Sequence, residues 1–214
     1  MAAGKSLRWM REKLRYEIHD MAQSPNRASG DEWLDQCLRR VYETLWDEHD
    51  WPHLKVLRLK SLYAGQRYYD FPSDLNSSRI KDVFVKENGR SKPIERTICV
   101  DDYNHYDSES DQRHDCVHKW DFCESQQIEI WPIINNDDCQ LVVEGYLEFK
   151  PLVSQDDTVS IDATVIVLYA AAEILAGRNH NDAGIKLATA ETRLESLKDG
   201  FSRSSKRLVL GGGI

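Results

Sequence analysis

The chain has 214 residues, 41% hydrophobic and 30% charged, with a formal net charge of −8, enough apolar material for one domain with an elaboration. Its longest mainly apolar run, Ala163 to Ala172, is about half of the roughly 20 residues that a membrane helix needs. An acidic chain also lacks the clustered Lys and Arg of a dedicated nucleic-acid binder.

The N-terminus, Met1 to Ser6, runs into charged residues without an apolar signal core, so secretion is not expected. Five cysteines, Cys37, Cys99, Cys116, Cys123 and Cys139, are odd in number and irregularly spaced, which favours a reducing compartment over a disulfide framework.

In chain order, residues 6–22 predict a first helix, with Leu7, Met10, Leu14, Ile18 and Met21 recurring at three- and four-residue steps. Ser24-Pro25-Asn26 ends it, and Asp31 offers a cap for a second helix. That helix stripes Leu34, Cys37, Leu38, Val41, Tyr42 and Leu45 along one face and must stop near Trp51-Pro52.

From Leu54 the period changes to two, and Leu54, Val56, Arg58 and Lys60 alternate with Lys55, Leu57 and Leu59. Arg67 to Phe71 and Ile80 to Lys86 read as strands; Asn88-Gly89 is a strong hairpin signal, and Pro93 to Arg96 returns. Asp101 to Tyr103 suggests a capped helical turn, and strands follow at Lys119 to Cys123, Ile128 to Trp131 and Leu141 to Phe149. Beyond Pro151, Asp162 to Gly177 has the pattern of a buried central helix. Ala183 to Phe201 then places Leu187, Ala190, Leu194, Leu197 and Phe201 on a heptad stripe, marking Leu187, Leu194, Leu197 and Phe201 as candidate packing residues.

The expected fold class is therefore α+β: N- and C-terminal helix pairs form one helical bundle, with an antiparallel β-rich domain inserted. The boundaries are 1–53 for the first pair, 54–150 for the insertion, 151–201 for the second pair, and 202–214 for an extended tail.

No phosphate-binding glycine loop, GxSxG elbow, HExxH or CxxC pair is present, so no catalytic residue is assigned and no cofactor is expected. A hydrolase with acidic catalytic residues would have no motif behind it. Extended backbone would put His114, Cys116 and His118 on one face, and with Cys123 these could close a tetrahedral zinc site. A small zinc-containing binding module is thus the alternative reading, although the ligands lack the usual tight pairing. The six tryptophans and nine tyrosines are scattered, which suits core and interface packing.

Charge is uneven. Residues 101–157 hold 15 acids against three bases, Arg113, Lys119 and Lys150. These acids read either as solvated loops or as a surface past which polyanions slide. The tail pairs bases, Arg203, Lys206 and Arg207, with an apolar β-prone triplet, Leu208, Val209 and Leu210, a segment suited to adding a strand to a neighbour's sheet.

Several short strings carry a resemblance. Trp51-Pro52 ends an amphipathic helix, Tyr69 to Leu75 reads YDFPSDL, Arg79 to Val85 reads RIKDVFV, and Pro93 to Arg96 reads PIER. Gly145-Tyr146-Leu147 then leads through Pro151-Leu152 to Ile161-Asp162-Ala163 and the Ala-rich helix pair. This layout, over roughly residues 31 to 200, resembles the head-to-tail connector (adaptor) proteins of tailed bacteriophages, the group that includes tail tubular protein A. The resemblance implies a non-enzymatic structural protein of the virion neck, reached from the host cytoplasm during assembly, with another phage neck or tail-completion protein as its closest rival. It implies a homo-oligomeric ring, commonly of twelve subunits, bound to the portal protein on one side and to a tail or nozzle protein on the other. Genomic DNA would cross the lumen without specific binding, and no membrane is involved. A terminal segment grips the portal in such adaptors, which makes Arg203 to Leu210 the candidate docking element.

Overall fold

The computed structural model describes residues 4–19, 27–87, 89–106, 112–123 and 127–207. The fold is mixed α+β, with five helices and two four-stranded sheets among the described residues. The chain divides into two compact units, one of residues 1–52 and 149–214 and the other of residues 53–148.

The first unit is helical. Helix α1 spans Leu7–Glu17, and the Ser6 side chain caps it by accepting from the Trp9 N–H. It buries Leu7, Met10, Arg11 and Leu14; Met21, expected on the same stripe, lies outside the described residues. Helix α2 spans Arg27–Glu48, so Asp31 sits inside it rather than capping it. The Asp31 carboxylate is used elsewhere, paired with Arg15 and 3.9 Å from Arg11 Nε. The α2 stripe Leu34, Cys37, Leu38, Val41, Tyr42, Leu45 is buried as the periodicity predicts. Tyr42 and Trp46 pack against Phe149 at ring-centroid distances of 5.0 and 5.4 Å.

Helix α4 (Ala163–Gly177) buries ten of its residues and is contacted by α1, α2 and α5 (Ala183–Arg207). A helix apolar on nearly every face has to sit among other elements. The tail expected to be extended from Ser202 is helical through Arg207, because nothing in Ser202 to Arg207 breaks a helix: the segment holds no proline or glycine.

The second unit is built from strands β1 (Lys55–Ser61), β2 (Tyr68–Asp70), β3 (Leu75–Glu87), β4 (Arg90–Pro93), β5 (Glu95–Arg96), β6 (Lys119–Phe122), β7 (Gln127–Trp131) and β8 (Cys139–Leu147), plus a short helix α3 (Val100–His105). One sheet has the order β1-β8-β3-β4 and the other β2-β7-β6-β5. All pairs are antiparallel except β5 with β6, which run parallel. The β-rich unit is thus antiparallel in the main, as expected, with this one short parallel pair. Pro93 to Arg96 does not return as one strand: Pro93 ends β4 in the first sheet, and Glu95-Arg96 begin β5 in the second. The Glu87↔Arg90 pair closes a two-residue loop at Gly89, whose φ is +78°, a conformation that glycine adopts without strain.

A shared core that includes Tyr69, Val83, Val85, Trp120, Ile128, Ile130, Leu141 and Val143 fills this unit. Val56 packs against that core, whereas Leu57 and Leu59 point the other way and remain 50% and 59% exposed. The period-two alternation is real, and only one of its faces is covered by the core.

Candidate functional site

The candidate site is a surface of the helical unit. Its best-defined part is the α4–α5 face. Asp162 caps α4 by accepting from the Thr164 and Val165 N–H groups. The same carboxylate is fully buried and takes both arms of Arg193 from α5, Nε to Oδ1 and Nη2 to Oδ2, each at 3.1 Å. This bidentate geometry fixes the rotation of α5 about its axis as well as its position. At the other end of the contact, Lys186 Nζ of α5 reaches Glu17 Oε2 of α1 at 2.5 Å.

With α5 held this way, the heptad stripe divides. Ala190 and Leu194 are buried, Leu197 is half-buried, and Leu187 stays 41% exposed. Leu187 therefore does not share the buried face with Leu194. The Phe201, Arg203, Lys206 and Arg207 side chains are not among those described, although their backbone belongs to α5. Leu208, Val209 and Leu210 lie outside the described residues.

Along one flank of α5, a groove of about 730 Å³ runs against α4, lined by Thr164, Leu168, Ile185, Ala188, Thr192 and Arg193 among others. Ile185 is 65% exposed. On the other flank, burial together with Glu191, Glu48 and Glu195 raises the pKa of Tyr169. One helix thus offers an apolar groove on one side and acids on the other.

The zinc reading requires His114, Cys116, His118 and Cys123 to converge, and they do not. The segment is not one extended strand: His114 makes a single parallel bridge with Ile134, and Asp115-Cys116 form a bend. His114 Nδ1 accepts from the Cys116 N–H at 3.2 Å, folding the chain back on itself. The His114 and His118 rings lie tilted at 54° to each other with centroids 5.3 Å apart, while Cys116 lines a cavity with Val117 and Cys139. Burial and the neighbouring Lys92 and His114 push the pKa of His118 down. Among the described residues, no group of three or more His, Cys, Asp or Glu is placed to hold a metal ion.

The acid-rich stretch 101–157 is less of a free surface than its composition suggests. Glu129 is buried against Arg67, Asp102 pairs with Lys119, and Glu144 pairs with Lys55. Hydrogen bonds from Cys99 and Lys119 hold the Asp102 carboxyl far below the usual carboxylate range. Arg67 was invisible as a structural residue in the sequence, since its partner lies 62 positions away.

A model of the SU10 adaptor protein family matches residues 5–209. The chain belongs to this family. Its match takes in the α1 segment, which the short strings had left out, and runs past the last described helical residue. No curated protein matches the chain. As a member, it is a phage adaptor, a structural protein whose family belongs to the neck of the virion.

Proposed function

We propose that this adaptor forms a ring that joins the portal at the capsid vertex to the tail and lines part of the DNA channel. The observation that carries this reading is the family match over residues 5–209, read together with a helical unit that leaves Ile185, Leu187 and the adjoining groove open. Covering one such aliphatic side chain contributes roughly 1.5–3 kcal/mol, so lateral neighbours gain by packing there. On this reading the four long helices act as one bundle, copies stand side by side, twelve of them, and the end of α5 with Arg203, Lys206, Arg207 and the following Leu208 to Leu210 docks on the portal. The sheet unit meets a downstream tail or nozzle protein. Acids of 101–157 that remain exposed, such as Asp115, Asp137 and Asp138, would repel DNA phosphates within about 8 Å at physiological salt. Assembly would take place in the host cytoplasm.

Cryo-EM of intact particles, with symmetry analysis of the neck, tests this reading. The expected map traces the chain into a ring between portal and tail, and absence of the chain from the particle defeats the proposal.

A further inference from the structure

The sheet unit carries two features of opposite charge at opposite ends of one strand. Strand β3 has 13 residues with register shifts near its start, and its ends pair with Leu147 and Cys139 of β8, eight residues apart, which at about 3.4 Å per residue separates them by on the order of 27 Å. Its first residues, Leu75 and Ser77, line a groove of about 500 Å³ together with Asp70, Phe71, Pro72 and Glu148. Asp70 accepts from Gln127 Nε2 at 3.0 Å, and the exposed Glu148 accepts from the Asn76 amide at 3.3 Å. Its lining sets the carboxylates of Asp70 and Glu148 beside Phe71, Pro72 and Leu75, an acidic cleft with an apolar wall.

The last residues of β3 turn into β4, where Lys86, Arg90 and Lys92 are all exposed, against a single half-buried acid, Glu87. Neither Lys86 nor Arg90 makes an ion pair among the described residues. β4 is also the outermost strand of its sheet, so one of its backbone edges has no strand beside it and invites a partner.

These two features cannot meet within one chain, because the same strand holds them apart. They can meet between chains. We infer that the Lys86–Lys92 hairpin of one copy seats in the groove beside Asp70 and Glu148 of the next copy. The inference rests on the adaptor reading, which calls for copies in a ring. A contact made by two different patches on each subunit is heterologous and propagates head to tail, closing into a ring when the rotation per step allows it. Charge complementarity selects this occupant: the hairpin presents only two more cations than anions, too few to hold a polyanion at physiological salt, and a polyanion would leave the anionic groove empty.

Carbodiimide cross-linking tests the contact, because it joins an ammonium to a carboxylate only when the two touch. It is run on a concentrated equal mixture of ¹⁴N- and ¹⁵N-labelled full-length protein, and in parallel on intact particles. The expected product links Lys86 or Lys92 to Asp70 or Glu148, with about half of the peptide pairs of mixed isotope, the share that random pairing of two copies produces. A hairpin-reversed variant (Lys86→Glu with Arg90→Glu) and a groove-reversed variant (Asp70→Lys with Glu148→Lys) should each fail to assemble alone, while their mixture assembles with alternating copies, since every hairpin then meets a groove of opposite sign; failure of the mixture to assemble overturns the inference. Native mass spectrometry reads this, and circular dichroism verifies that both variants fold. Hairpin lysines that link only to other positions, or that are shielded only when nucleic acid is added, overturn the inference. If the particle map shows the ring but with the hairpin away from the groove, this contact falls and the adaptor reading stands. If the chain is missing from the particle, the adaptor reading falls, and the isotope mixture still decides the contact.

Discussion

Arg67 and Glu129 meet at a single atom: Nε and Nη2 of the guanidinium lie 2.7 and 2.6 Å from Glu129 Oε1. The same oxygen accepts from the Tyr103 hydroxyl at 2.9 Å, and the rings of Tyr103 and Trp131 flank the guanidinium at 4.8 and 4.9 Å. Glu129 is only 7% exposed, so the cluster supplies the charge compensation that water would otherwise give. Arg67→Ala strands a buried carboxylate, and the expected loss is about 3–5 kcal/mol, read from urea unfolding. Arg67→Lys is expected to recover little, because a lysine has neither the fork nor the flat stacking surface. Full recovery by Lys would show that charge alone is needed.

Asp162 combines two jobs in one carboxylate, capping α4 and clamping Arg193 of α5. Asp162→Ala is expected to cost about 2–3 kcal/mol, the loss of a cap plus buried donors left unmet. Asp162→Asn retains an acceptor for the cap and is expected to cost about half as much. Equal losses for the two variants in denaturant titration would mean that the cap contributes nothing.

The depressed pKa of Asp102 has a definite sign in pH. Cys99 first and Lys119 second favour the ionised form, so the native state binds fewer protons than the unfolded chain below the ordinary aspartate value. Its stabilisation is complete above that value and is lost as pH falls further, through the lowered folded pKa. Carbon-detected NMR titration should find the carboxyl still ionised at about pH 3. Cys99→Ala and Lys119→Met should each move its midpoint back up. An unchanged midpoint in both variants would break the assignment.

Leu194 and Ile185 belong to the same helix yet should respond differently. Leu194→Ala opens a buried contact and is expected to destabilise by about 2–4 kcal/mol. Ile185→Lys lies on open surface and should change stability by no more than about 0.5 kcal/mol while reducing ring assembly. Normal incorporation of Ile185→Lys into particles would remove this face from the lateral interface.

Deleting residues 208–214 leaves every described residue of α5 in place. The unfolding midpoint should stay unchanged while attachment to purified portal weakens about tenfold or more, equivalent to about 1.4 kcal/mol. Equal attachment by the full-length and shortened chains would show that the docking element lies elsewhere.

Much of the local structure was written in the sequence. Leu34 to Leu45 and the run from Ala163 onward could only be a striped helix and a buried one, and Asn88-Gly89 announced the turn that joins β3 to β4. Such features depend on spacing along a few turns or a few residues, because backbone geometry alone sends every third or fourth helical side chain, and every second strand side chain, to one face. Tertiary structure decided the rest. It split Pro93 to Arg96 between two sheets, bent His114 to His118 away from a common face, and exposed Leu187 while burying Leu194. It also drew Glu129 and Asp102 out of an apparently uniform acidic surface. These outcomes depend on which distant group arrives to satisfy a charge or cover an apolar face, and no local period encodes the identity of a partner dozens of residues away.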